Sequence, residues 1–119
     1  MGWAATAIAA GFQPDTISND VHNRHVGFDQ PHDLPMTIAR MMAVGLPERD
    51  AFTKATLRPA QVLGLAGEVG TLAAGAAGDV SVLRWSAEPV PLADTPHGVD
   101  SGPALLPVLT VRDGQVFEP

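Results

Sequence analysis

Residues 54–83 read KATLRPAQVLGLAGEVGTLAAGAAGDVSVL, and within them the chain changes character. Pro59 opens a short helical segment, PAQVLGL, that Gly64 stops, because a glycine just past a periodic run ends helices without steric cost. After Gly67 the β-branched and aliphatic residues take over. Val69 to Leu72 reads as a short strand, GAAGD (75–79) as a turn, and Asp79 to Trp85 (DVSVLRW) as a longer strand. Helices before this stretch and strands after it make an α+β chain rather than an alternating α/β one.

Working outward, the amino-terminal side is helical. Pro47 opens a helix through Glu48, Ala51, Phe52 and Ala55, and Gly45 closes the one before it. That earlier helix carries Leu34, Ile38, Met41 and Met42 at helical spacing, with Asp33 as N-cap and Pro35 in the first turn. Its stripe is expected to be buried, which makes Met36, Met41 and Met42 core material. Gly2 to Ala10 reads as a short Ala-rich helix ending at Gly11, and Asp15 to Ser18, with Thr16 and Ile17, as a short strand. On the carboxyl-terminal side a Pro-rich loop holds His97, Leu105 to Val111 is a strand, and Asp113-Gly114 turns it into Gln115 to Phe117 as a hairpin. Pro107 cannot donate to a ladder, so its strand is an edge or is bulged there.

The composition sets limits. The 119 residues are one domain's length, and a net charge of −6 with no basic run argues against nucleic acid as a partner. There is no cysteine, so chemistry would fall to His, Asp, Glu, Ser or Thr. No apolar run spans a bilayer, and GWAATAIAAG lacks the positive flank of a secretory signal, which makes cytoplasmic location the default. Among 119 residues, 12 glycines, 11 prolines and 5% aromatics leave short elements and few large anchors, so marginal stability is expected.

Over the nineteen residues from Asp15 to Asp33 the chain concentrates Asp15, Asp20, His22, His25, Asp29, His32 and Asp33. Such a stretch is either a solvated polar loop or part of a site. His22 and His25 with Asp20 offer metal donors, but Pro31, Pro35 and the polar surroundings favour a loop over the helix that such spacing needs. His25 and His32 read as solvated, and His97 as exposed. Ser18 lacks the context of a nucleophilic serine and reads as structural. The strand at Ile17 has no partner strand beside it in the chain, so the first third looks like part of something larger.

The 54–83 stretch resembles the carboxyl-terminal signature of the amidohydrolase superfamily, a helix with T-x-N-P-A followed by L-G, G-x-L, G and A-D before a strand. Thr56, Pro59, Ala60, Leu63, Gly64, Gly70, Leu72, Gly75 and Asp79 fall on that pattern, with Arg58 where Asn is usual and Gly78 where Ala is usual. PDTISNDVH, FDQPHDLPMT and LLPVLTVRDGQVF look like the dihydroorotase-like amidohydrolase and deacetylase branch. The resemblance implies a fold of which this chain is too short to hold the whole: a (β/α)8 barrel with a small β-sandwich. Residues 1–66 are then expected to be the end of the barrel, strand eight and the helices after it, and residues 67–119 the carboxyl-terminal strands of the sandwich.

The same resemblance implies that Asp20 of S-x-D-x-H is a metal-contacting aspartate and the general base toward the attacking water, and that His22 contacts substrate. It implies a divalent cofactor, zinc, in the full-length parent, and hydrolysis of C–N or ester bonds of small molecules. The H-x-H pair, the carbamylated lysine and two further histidines of that site would precede Met1, and the one lysine, Lys54, lies in the wrong segment. The chain alone is therefore expected to be inactive. Two alternatives stand beside this: a non-catalytic module docking on a partner that supplies the missing barrel strands, with self-association as a further outcome, or a small autonomous metal-binding protein.

Overall fold

A computed structural model describes residues 2–23, 33–95 and 98–119. Four helices precede five strands: α1 (Gly2–Ala9), α2 (Leu34–Ala43), α3 (Glu48–Ala55), α4 (Leu57–Val62), β1 (Val80–Trp85), β2 (Val90–Thr95), β3 (Gly98–Gly102), β4 (Leu105–Arg112) and β5 (Gln115–Phe117). The chain is a mixed helix and sheet protein, with an antiparallel sheet ordered β1-β4-β5 and a separate β2-β3 pair. Among the described residues no helix is long and apolar enough to cross a membrane.

Helix α2 is the centre of the fold. Asp33 caps it, its carboxylate accepting the Met36 N–H at 2.7 Å, and prolines are tolerated in that first turn because its N–H groups have no intrahelical partner. At the other end Leu46 N–H reaches the Met41 carbonyl and Gly45 N–H the Met42 carbonyl, the Schellman pattern, with Gly45 at φ 103°. The helix buries two faces rather than the expected single stripe. Ile38 joins Ile17, Leu46, Ala51 and Leu105, with Leu34, Met41 and Met42 half-buried around them. Met36 and Ala39 face Leu92 and Ala104 instead.

The second face exists because of an element that the sequence hides. The segment expected to be a Pro-rich loop is the β2-β3 hairpin, in which Leu92 is completely buried. Val90 and Leu92 alternate around Pro91, and a two-stranded pair has free edges where a proline costs no ladder bond. His97 lies outside the described residues.

Two other expectations are corrected. Val69 to Leu72 is not a strand: Val69 makes only an isolated bridge to Ala66, and Gly70 turns the chain at φ 73°. A β-carbon on Gly70 would stand 2.6 Å from the Thr56 carbonyl oxygen, so that close approach over α4 admits only glycine. Nor is Asp15 to Ser18 a strand among the described residues. Ile17 N–H donates to the Lys54 carbonyl at 2.9 Å, and a single bond to a helix end is no ladder. Helix α4 starts at Leu57, two residues before Pro59, which sits early enough that its missing N–H costs nothing.

The β1-β4-β5 sheet follows expectation more closely. The register slips between Val82 and Leu83 where β4 passes Pro107, so the bulge falls beside the proline. Asp113 and Gly114 take φ 49° and 75°, the two positive values of a type I′ turn, and Arg112 pairs Gln115 across it.

Candidate functional site

The segment bearing the candidate residues leaves α1 at Gly11 and reaches Asn23 with one buried residue, Ile17, 7% exposed. Its side chain enters the cluster of Ile38, Leu46, Ala51 and Leu105 while its N–H binds the end of α3. Three residues on, Asp20 is exposed and adopts φ 51°, a left-handed conformation that Asp and Asn accept better than other L-residues. Asn19 Oδ1 accepts the Val21 N–H at 3.4 Å across it. His22 follows, also exposed. Asp20 and His22 are therefore presented to solvent from a short turn.

The structure separates the remaining members of the polar stretch. Asp33 is spent on capping α2. Asp15, exposed, lies 3.7 Å from the half-exposed guanidinium of Arg58, which also donates to Gln61 Oε1 at 3.0 Å. A solvated pair of this kind contributes at most about 1 kcal/mol. His25, Asp29 and His32 lie outside the described residues. Among the described residues no three His, Asp or Glu side chains converge on a point that could hold a metal ion. The donors described here, Asp20 above all, do not by themselves fit a divalent cation, which needs several convergent ligands.

Two cavities open elsewhere. One of about 610 Å³ lies between α2, α3, the 70–72 turn and β1, lined by Leu34, Ile38, Phe52, Thr71 and Asp79 among others. The other, about 240 Å³, lies between α2, Trp85, Leu92 and Pro103. Neither is lined by Asp20 or His22.

The 54–83 motif proves to be architectural. Thr56 Oγ1 donates to the Phe52 carbonyl at the α3–α4 junction, and Ala60, 3% exposed, lies under Gly70. Asp79 Oδ1 accepts the Asp113 N–H at 2.8 Å, and the Gly78 carbonyl accepts the Gly114 N–H, fastening the β4-β5 turn to the start of β1. Ile17, expected in a strand, is instead a single buried residue in a polar run whose other aliphatic, Val21, is exposed.

Comparison with known proteins bears on this arrangement from end to end. Residues 4–116 match the amidohydrolase family. A deacetylase of Enterococcus faecalis is 27% identical over 117 residues, which are 97% of this chain and 31% of that protein. The crystal structure of an adenine deaminase superposes with a TM-score of 0.86 at 26% identity, over 98% of this chain and 32% of that one. A dihydroorotase crystal structure gives 0.80 at 25% identity, over 97% and 31%. The chain thus spans about a third of the length of these relatives. With the match running from α1 through β5, this chain belongs to the amidohydrolase family.

Proposed function

We propose that the chain supplies the carboxyl-terminal part of a metal-dependent hydrolase that cleaves C–N or ester bonds of small molecules, such as N-acyl or cyclic amide substrates. In this reading residues 1–66 are the end of a (β/α)8 barrel, residues 67–119 belong to its small β-sandwich, and the protein works in the cytoplasm. The observation that carries it is the unbroken match across both the Asp20 segment and the 54–83 motif. The role proposed for Asp20 is to accept a proton from the water that attacks the substrate carbonyl, since an exposed carboxylate on a turn reaches a substrate that a buried one could not. His22, two residues on, is proposed to contact the substrate. The family's divalent ion, zinc in this proposal, would polarise that carbonyl once its other ligands are supplied from outside this chain.

A chimera tests the reading. Residues 1–119 would replace the matching third of the Enterococcus faecalis deacetylase, and hydrolysis of an N-acetyl substrate would be followed with and without a chelator. The expected result is turnover that chelation abolishes, while the chain alone stays at background. A chimera that melts cooperatively and binds metal yet hydrolyses nothing would sink the proposal.

A second reading, a non-catalytic module that docks on a partner chain, is favoured by one feature. Helix α1 is apolar and buries no residue, leaving Trp3 93% exposed and Phe12 just beyond it 77% exposed. Such surface fits a partner or a second copy. In that case the chimera would fold and remain silent while the chain alone formed a stable complex.

A further inference from the structure

We infer that the larger cavity is a binding site for a small arylalkyl amine, with its apolar body between α2, α3 and β1 and its ammonium at Asp79. At about 610 Å³ the cavity falls within the size of small-molecule sites, roughly 300–1,000 Å³. The cavity of about 240 Å³ beside Trp85 falls below it, and no charged side chain or hydroxyl lines it among the described residues. The walls of the larger one come from both halves of the chain, Ile38 and Phe52 from the helices and Leu83 from β1. An apolar space with an aromatic ring in its wall suits an aryl group. The polar atoms decide the rest. Asp79 is the one charged side chain among the described residues that line this cavity. Its Oδ1 accepts the Asp113 N–H at 2.8 Å, and its other oxygen makes no bond among the described residues. The Thr56 hydroxyl gives its proton to the Phe52 carbonyl at 2.7 Å, so its oxygen is left to accept, and the Ser81 hydroxyl can accept as well. An ammonium carries donors and no acceptor, so it satisfies this set, while a carboxylate would meet Asp79 with its own sign. Neither Asp20 nor His22 lines the cavity, so the inference stands whatever their role.

The test is an amide chemical-shift titration of the full chain with 2-phenylethylamine, beside 2-phenylethanol and phenylacetate as its neutral and anionic counterparts. The amine should shift the Phe52, Thr71 and Ser81 amides saturably, with a Kd of about 1 mM or below, and phenylacetate should leave them in place. Asp79→Asn keeps an acceptor for the Asp113 N–H and removes the charge, so amine affinity should fall by about 5-fold, to that of the alcohol. Ser81→Leu, at an exposed strand position on the cavity wall, fills the space with apolar volume and should abolish binding. Where a variant fails to fold, the contrast between amine and phenylacetate in the wild-type chain decides. The inference is overturned if the amine shifts no cavity amide, if phenylacetate shifts them equally, or if Asp79→Asn binds the amine as well as the wild type does. It is overturned too if those amides shift when the protein alone is concentrated, which would put a second copy of the chain in the space.

Discussion

Residues 2–23, with one helix, and residues 33–72, with three, are held in different ways. In the first region Ile17 is the one buried residue, with Ile8 of α1 half-buried against the same cluster and Asp15 facing Arg58 across solvent. The second is fastened at every junction: the Asp33 cap, the Schellman turn at Gly45, the Thr56 corner and the approach of Gly70 to that corner. The difference teaches where each job resides. Backbone-to-backbone closure in the second region builds a frame, and the first region hangs the candidate chemical group on it, since functional residues sit on segments positioned by a rigid scaffold.

Substitutions that cross this divide should differ sharply in cost. The largest effect is expected for Gly70→Ala, which forces an L side chain into φ 73° and a β-carbon to 2.6 Å from the Thr56 oxygen. A loss of about 3–5 kcal/mol is expected from strain plus overpacking, read by denaturant melts of the full chain. A loss under about 1 kcal/mol would show that the Thr56 corner yields, and the frame would be softer than described. Asp33→Ala removes the α2 cap and should cost about 1 kcal/mol, with Asp33→Asn close to neutral because Asn caps as well. Trp3→Ser, at the other extreme, deletes the bulkiest side chain of α1. At 93% exposure its effect should stay within about 0.5 kcal/mol. A large destabilisation by Trp3→Ser would erase the contrast between the two regions.

The frame was largely legible in the sequence. Asp33 with Pro35, Gly45, Pro107 and Asp113-Gly114 each act through their own covalent geometry, so their positions announce a cap, a stop, a bulge and a turn before any packing is known. What was not legible depends on partners. Thr16 and Ile17 favour a strand, but a strand is a relation between two chains of hydrogen bonds and the described residues offer Ile17 only the Lys54 carbonyl. Val90 and Leu92 were hidden by the surrounding prolines and glycines, and their fate was decided by the face of α2 that Met36 and Ala39 present. The polar stretch misled in another way. Asp15, Asp20 and Asp33 are close in sequence, yet one pairs with Arg58, one is presented to solvent and one caps a helix.

The measurement that bears most directly on this division of labour is the paired effect of Asp20→Asn on stability and on turnover. Asparagine keeps the shape and tolerates φ 51° as well as aspartate does, so the melting free energy of the full chain should change by less than about 0.5 kcal/mol. The carboxamide cannot accept the proton, so kcat of the chimera should fall by about 10²–10⁴-fold. A variant that lost stability while retaining wild-type kcat would contradict the account, placing Asp20 in the frame and the chemistry elsewhere.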